Sequence, residues 1–270
     1  MSNFWRFGLD RVLKAVNDPS VSREELAFRI MPRWLLESLR SYFQVKSFDV
    51  ENIPLQGPAI IIANHSGFAG FDALMLANEI RRETSRKPKI LTHKMWFKGD
   101  LLRKLSTEFG FVEASLDKAE KVINEGNLLL FFPEGEDGNF KPSSKKYQLQ
   151  EFKRGFLRLA LKTGAPIFPA IVIGAEETSI NLTKLSTKKL LGIPVPLPLN
   201  LIPIPVDWSL RFFPEYKIDD YSKDDISNSE RLRPLAKTIR HYMQKKILTE
   251  IKKHRDLSLD EVNFDEQDLP

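Results

Sequence analysis

The chain has 270 residues, 42% of them hydrophobic, and a formal net charge of +5 at pH 7. That length holds one large α/β domain with additions, or two small domains, around a substantial core. There is no cysteine, and the four histidines (His65, His93, His241 and His254) include no H-x-x-x-H pair, which excludes disulfides and thiolate metal sites, argues against structural zinc, and fits a reducing compartment.

The first twenty residues do not read as a signal peptide, because Arg6, Asp10, Arg11 and Lys14 interrupt any apolar run. Residues 3–44 read as two helices. Trp5, Leu9, Val12, Leu13 and Val16 line one face of the first, and Leu26, Ile30, Trp34, Leu35, Leu39 and Phe43 line the second. The centre then alternates. Strands are predicted at 58–64, 89–93, 127–133 and 166–174, with a short extended piece at 111–115. Helices are predicted at 71–82, 100–109, 117–125 and 151–163. The strands are almost continuously apolar, so the predicted fold class is α/β: a mainly parallel mixed sheet covered by helices.

The longest uncharged apolar run, Leu190 to Val206, has 17 residues and five prolines. It is too short and too broken for a membrane-spanning helix, so the chain is expected to be soluble or peripheral. A strand at 208–213 and a long helix at 229–254 follow. Leu232, Leu235, Ile239, Ile247 and Ile251 form the helix's apolar stripe, and its other faces are rich in lysine and arginine. The tail, 256–270, carries six carboxylates and is predicted to be disordered. The body without it is more basic still and suits an anionic partner.

Three stretches carry candidate chemistry. In "IIIANHSGFAGFDALML" (60–76), a buried strand ends at Asn64 and His65, and Asp72 stands at the start of the next helix. Ligands of open α/β sheets bind beyond the carboxyl ends of strands. Histidine exchanges a proton near neutral pH, and an aspartate on one ring nitrogen leaves the other as a base. Gly67 and Gly70 allow a tight turn. The residues alone fit equally a helix-capping Asp72 and a satisfied strand-end His65. In "LLLFFPEGEDGNF" (128–140), a second buried strand carries Glu134 and Gly135 at its carboxyl end; P-E-G and D-G are also ordinary turn chemistry. In "FKRGFLRLALKTGAPIFPAIVIG" (152–174), Lys153, Arg154 and Arg158 open a predicted helix, where cations either capture an anion or form a solvated face.

The order "NHSG…D", "FPEG", "GAPIFPA" closely resembles the glycerolipid (lysophosphatidic-acid-type) acyltransferase superfamily over about Val45 to Phe213. The variant is close to its diacylglycerol-acyltransferase-like branch. The resemblance implies an O-acyltransferase on an α/β fold. A fatty acyl group would pass from acyl-CoA or acyl carrier protein, as co-substrate, to a lipid hydroxyl. It implies His65 and Asp72 as the catalytic pair, and Asn64, Gly67, Glu134, Gly135, Lys153 and Arg154 as substrate-binding residues. It implies no bound cofactor, no metal and no nucleic acid. The partners would be a lipid acceptor, an acyl-thioester donor and a membrane surface, with the protein peripheral at the cytoplasmic, inner face of a membrane.

The corresponding organisation is N-terminal helices on or near the membrane (1–44), an acyltransferase domain (45–255) and the tail (256–270). A lipid hydrolase using the same pair, or a non-catalytic membrane-binding protein, are the alternatives. Two departures stand out. Six residues separate His65 from Asp72, where the family usually has four, and "GFVEAS" and "EGEDG" lack the arginines that many lysophosphatidate members carry there. With Glu113, Glu136 and Asp137 in those places, an acceptor without a terminal phosphate monoester is expected.

Overall fold

A computed structural model describes residues 10, 12–65, 70–139, 141–185, 195–198, 200 and 202–254. Most of the first predicted helix and the whole acidic tail lie outside the described residues. Residues 12–17 are helical. The second N-terminal helix starts at Arg23–Glu25, where the Ser22 hydroxyl accepts the Glu25 N–H at 3.0 Å. It widens to π geometry over Leu26–Ile30 and continues as α1 (Met31–Tyr42), with a proline in its first turn. Pro32 therefore sits inside a continuous helix, where its missing N–H takes one bond out of the ladder just past the widened turns.

The remaining elements are β1 (Lys46–Phe48), β2 (Ala59–Ala63), α2 (Phe71–Thr84), β3 (Lys89–Thr92), α3 (Asp100–Phe109), β4 (Phe111–Glu113), α4 (Leu116–Asn124), β5 (Leu128–Phe131), α5 (Gly155–Thr163), β6 (Ile167–Ile173), β7 (Asn181–Leu185), β8 (Val195–Pro198), β9 (Ser209–Phe212) and α6 (Ser229–His254). Seven strands form one sheet in the order β1-β9-β6-β2-β5-β3-β4. Neighbours are parallel except for the antiparallel β6–β9 pair. This is the mixed, mainly parallel sheet that the alternation predicts.

Helices cover both faces, which is why the central strands are apolar without interruption. In β2, Ile60 and Ile62 face one core with Phe156, Leu157, Leu232 and Ile239 of α5 and α6. Ala59, Ile61 and Ala63 face the other, with Met75, Leu76 and Ile80 of α2. Each of the three isoleucines is at most 1% exposed, and each such burial contributes about 1.5–3 kcal/mol relative to exposure. Phe43, just past α1, stacks on Trp208 with centroids 4.6 Å apart, which fastens the N-terminal helix to the second core.

Four elements differ from expectation. The helix predicted at 151–163 begins only at Gly155, because the preceding backbone is drawn to the β5 loop: Gln150 N–H donates to Glu134 at 2.7 Å and Lys153 N–H to the Pro133 carbonyl at 2.9 Å. Lys153 and Arg154 therefore precede the helix, and only Arg158 lies inside it. The three-residue β1 was not predicted; it is too short to show alternation. β7 was not predicted either, and the proline-rich run holds a strand, β8, which pairs antiparallel with it as a separate two-stranded sheet. Each strand of such a pair keeps a free edge, where proline's missing donor costs nothing.

A buried ion pair joins α1 to α2. Glu79 is fully buried, and the Arg40 guanidinium meets its two oxygens at 2.7 and 3.3 Å, while Ser47 Oγ donates to it at 3.0 Å. Arg40→Ala takes away this carboxylate's nearest cation, leaving the Ser47 hydroxyl and Arg82 at 3.6 Å, and the expected loss is about 3 kcal/mol. Arg40→Met/Glu79→Leu should lose less than Arg40→Ala. Urea unfolding measures both, and equal losses would mean the charge itself matters little.

Candidate active site

The parallel neighbours β6, β2 and β5 bring their carboxyl ends to one edge of the sheet, where ligands of such sheets bind. Asn64 continues the β2–β6 ladder with its side chain. Its amide donates to the Val172 carbonyl at 2.9 Å and accepts the Val172 N–H at 2.8 Å. This fixes the direction in which the chain leaves β2. His65 comes next, its side chain 15% exposed, with Nδ1 2.8 Å from Asp72 Oδ2. Its ring lies 4.5 Å from the Phe132 ring. Asp72 is fully buried in the first turn of α2, which begins after Gly70 in left-handed geometry (φ 79°). A carboxylate is favoured at a helix N-terminus. As acceptor, Asp72 puts the imidazole proton on Nδ1 and leaves Nε2 with its lone pair.

Glu134 is fully buried beyond β5. One oxygen accepts the His65 backbone N–H at 2.9 Å, and the other accepts the Gln150 N–H at 2.7 Å. The carboxylate thus ties three loops together and turns inward. Gly135 adopts φ 57°, and a Cβ there would stand 2.8 Å from Lys153 Nζ. Gly138 has still less room: an added Cβ would lie 2.6 Å from Glu134 Cβ and 2.9 Å from the His65 carbonyl. The turn can pass so close to His65 only because this residue is glycine.

Behind Glu134 lies a second layer of buried charge. Lys141 is 5% exposed; its ammonium sits 2.8 Å from Glu176 Oε1 and 4.0 Å from Glu134 Oε2, and donates to the Gln148 carbonyl at 3.1 Å. Burial opposes the charge, but Glu176, Glu134 and Asp72 overcome it and hold the ammonium above its ordinary 10.5. Tyr147 completes the layer at φ 63°, an outlier for a bulky residue. It is held by three anchors: its N–H donates to Glu176 at 2.8 Å, its hydroxyl bonds Glu177 and accepts from Gly174 N–H at 3.0 Å, and its carbonyl accepts from Gln244 at 2.8 Å.

Of the residues singled out from sequence, the structure joins His65, Asp72, Glu134 and Gly135, with Asn64 directly beneath. Asn64 and Glu134 were grouped with substrate binding, but both are fully buried and their polar atoms serve the protein's own backbone. Lys153 and Arg154 stand beside the Gly135 turn. Gly67 and Ser66 lie outside the described residues. Sequence reading missed Gly138, Tyr147 and Glu176, and it gave Lys141 no part in the frame. Glu176 was findable, since it lies just past the carboxyl end of the third central strand. Among the described residues, no group of three or more His, Cys, Asp or Glu side chains could hold a metal ion.

Residues 44–173 match the acyltransferase family model. A protein of Mycobacterium tuberculosis is 33% identical over 218 residues, covering 76% of this chain and 61% of its own length. The chain thus spans about three fifths of that relative. The 1-acyl-sn-glycerol-3-phosphate acyltransferase of Limnanthes douglasii is 37% identical over 117 residues, 40% of this chain and 34% of that one. Among solved structures, the 1-acyl-sn-glycerophosphate acyltransferase PlsC of Thermotoga maritima aligns at TM-score 0.49 and 18% identity, over 89% of this chain and 88% of that one.

The Lys141 cluster makes its own prediction. Lys141→Met leaves Glu134 and Glu176 without their cation and should cost about 3–5 kcal/mol. Because Lys141 holds its proton more tightly folded than unfolded, its contribution is full below its ordinary 10.5 and is lost as pH rises through the higher folded value. The deficit of Lys141→Met in urea unfolding should therefore be constant from pH 7 to about 10 and shrink above that. A deficit that vanishes at pH 7 would show that the carboxylates do not need the ammonium.

Proposed function

Because the chain belongs to the glycerolipid acyltransferase superfamily, we propose that it is an O-acyltransferase that moves a fatty acyl group from an acyl thioester to a lipid hydroxyl, with His65 as general base and Asp72 as its orienting partner. The observation that carries this is the 2.8 Å contact from His65 Nδ1 to a fully buried Asp72, at the open edge of the sheet. His65 Nε2 takes the acceptor's hydroxyl proton as the oxygen attacks the thioester carbonyl. The new C–O bond forms, the C–S bond breaks, and the proton passes from the imidazolium to the departing thiolate. Asp72 favours the imidazolium in between. No protein nucleophile is needed, in keeping with a chain that has no cysteine.

The acceptor belongs to the same proposal. Lys141, in the block after F-P-E-G, is spent on Glu176 and Glu134 inside the protein. Glu113 pairs with Lys118, and Glu136 lies 3.9 Å from His93. Neither block supplies the bidentate arginine that best holds a phosphate monoester. The reading is therefore an acceptor without one: a lysophospholipid with a head group, a mono- or diacylglycerol, or a similar lipid alcohol.

Membrane contact follows from such substrates. Met31 and Leu35 of α1 and Ile202 are exposed, the last at 77%. The Tyr42 hydroxyl donates to the Pro203 carbonyl at 2.7 Å, which sets α1 beside that apolar run. Exposed aliphatics together suit an interface. No helix among the described residues is long and apolar enough to cross a membrane. A peripheral place at the cytoplasmic face is the proposal.

His65→Ala should lower transfer by about 10²–10⁴-fold with unchanged unfolding, and Asp72→Asn should lose most activity. Assaying free fatty acid with and without acceptor separates transfer from hydrolysis. A folded His65→Ala protein with near-wild-type turnover would sink the mechanism. In direct competition for one donor, a lysophospholipid with a head group or a diacylglycerol should outrun lysophosphatidate; clear preference for lysophosphatidate would defeat the acceptor assignment.

A further inference from the structure

Next to the Gly135 turn, two clefts adjoin. One, of about 350 Å³, is lined by Lys153, Arg154 and Arg158 with Asp137 and Glu151. The other, of about 290 Å³, is lined by Arg154, Arg233, Lys237 and Arg240 with Glu151. They share Glu151, Phe152 and Arg154, so they form one groove between the start of α5 and the side of α6. Six cations line it against two carboxylates. Each volume is in or near the range of small-molecule sites, roughly 300–1,000 Å³.

Only part of this charge is used internally. Arg158 bonds the Ile226 carbonyl at 3.2 Å and Ser229 Oγ at 2.6 Å, and Arg240 bonds the Leu149 carbonyl at 3.0 Å. Arg154 meets Glu151 only at 4.0 Å, and its Nε is buried with no hydrogen-bond partner. Arg233 stands 3.8 Å from Glu230 with 62% of its side chain exposed. Among the described residues, Lys153 and Lys237 make no ion pair. Cations so gathered are retained at a cost in mutual repulsion, which a polyanion relieves.

We propose that this groove takes the nucleotide end of a coenzyme A thioester. Its diphosphate and ribose phosphate would lie along Lys153, Arg154, Arg233 and Lys237, while the pantetheine arm passes the Gly135 turn toward His65. The inference rests on the acyl-transfer reading and names the donor for that site. The route is short: Lys153 N–H bonds Pro133, and the next residue, Glu134, holds the His65 backbone. A concave groove with several separated cations matches several phosphates on one small molecule. A carrier protein brings a single phosphate and needs a broad surface. A lipid tail needs an apolar lining, and Phe152 and Ala236, the large and small apolar residues here, are themselves buried.

The test is calorimetric titration of the full chain with 3′,5′-ADP, the nucleotide end without an acyl arm. Arg233 and Lys237 are exposed on α6, so Arg233→Glu/Lys237→Glu spares the core. Lys87→Glu, before β3 at the amino end of the strands, is a charge-reversal control away from the groove. Wild type and Lys87→Glu should bind alike, and the double variant about tenfold or more weakly, with KM for acyl-CoA raised and kcat little changed. No binding by wild type, or equal binding by the double variant, overturns the groove, and acyl transfer by the same preparation would leave the enzyme reading intact. Tighter binding of glycerol 3-phosphate than of 3′,5′-ADP would assign the groove to the acceptor and overturn it, as would a KM change confined to an acyl carrier protein donor. Binding lost in the double variant, with no transfer from any donor, would keep the groove and remove the enzyme reading.

Discussion

One buried ammonium holds the candidate site together. Lys141 faces Glu176 and Glu134 in a region closed to water. Taking an ion out of water costs several kcal/mol, and two carboxylates there would repel each other as well. With Lys141 between them they share a cation, and Glu134 accepts amide hydrogens from His65 and Gln150. The rigidity of the His65 backbone, and so the aim of its ring, traces back to a lysine that touches neither ring nor solvent.

Topology supplies the rest. The three central strands end side by side, and each carries its polar residue just past its last rung: His65 after β2, Glu134 after β5, Glu176 after β6. The tasks are divided by depth. His65 is the one that keeps some exposure; Glu134 and Glu176 sit behind it and are committed to backbone amides and Lys141. The outer layer can exchange a proton while the inner layer stays fixed. A site built on strand ends is positioned by the packed cores on both faces of the sheet, and not by its loops alone.

Much of this was legible in the residues. Buried parallel strands announce themselves as runs such as "AIII" and "LLLF", and β2, β3, β4, β5, β6 and β9 fall within the predicted strands. Position past a strand end pointed to His65 and Glu134. What was not legible depends on long-range pairing. The late start of α5 follows from amides at 150 and 153 bonding a loop some sixteen to twenty residues earlier, and no local propensity encodes that. Tyr147 in left-handed geometry defies local preference and is held by Glu176, Gly174 and Gln244, the last 97 residues away. The burial of Lys141 was not legible because sequence gives no measure of depth. Val195–Pro198 was not read as a strand, because proline's cost depends on whether a partner lies on one side or both.

The spacing of the pair shows what a motif does and does not encode. Six residues lie between His65 and Asp72, yet the side chains meet at 2.8 Å. Both ends are pinned independently of the turn. Asn64 is bonded twice to Val172. Asp72 rides on the first turn of a helix whose Met75, Leu76 and Ile80 are sunk in the core. Two extra residues in the connection therefore lengthen the loop without moving either anchor, and loop closure grows only slowly with length. The constraint that matters is that the histidine follow a strand fixed in the sheet and the aspartate open a helix packed against it. A fixed count of residues is one way to meet it. The same logic bears on the missing arginines: Lys141 shows a cation from the block after F-P-E-G drawn inward to serve the frame, and a cation spent on the frame does not also hold a substrate phosphate.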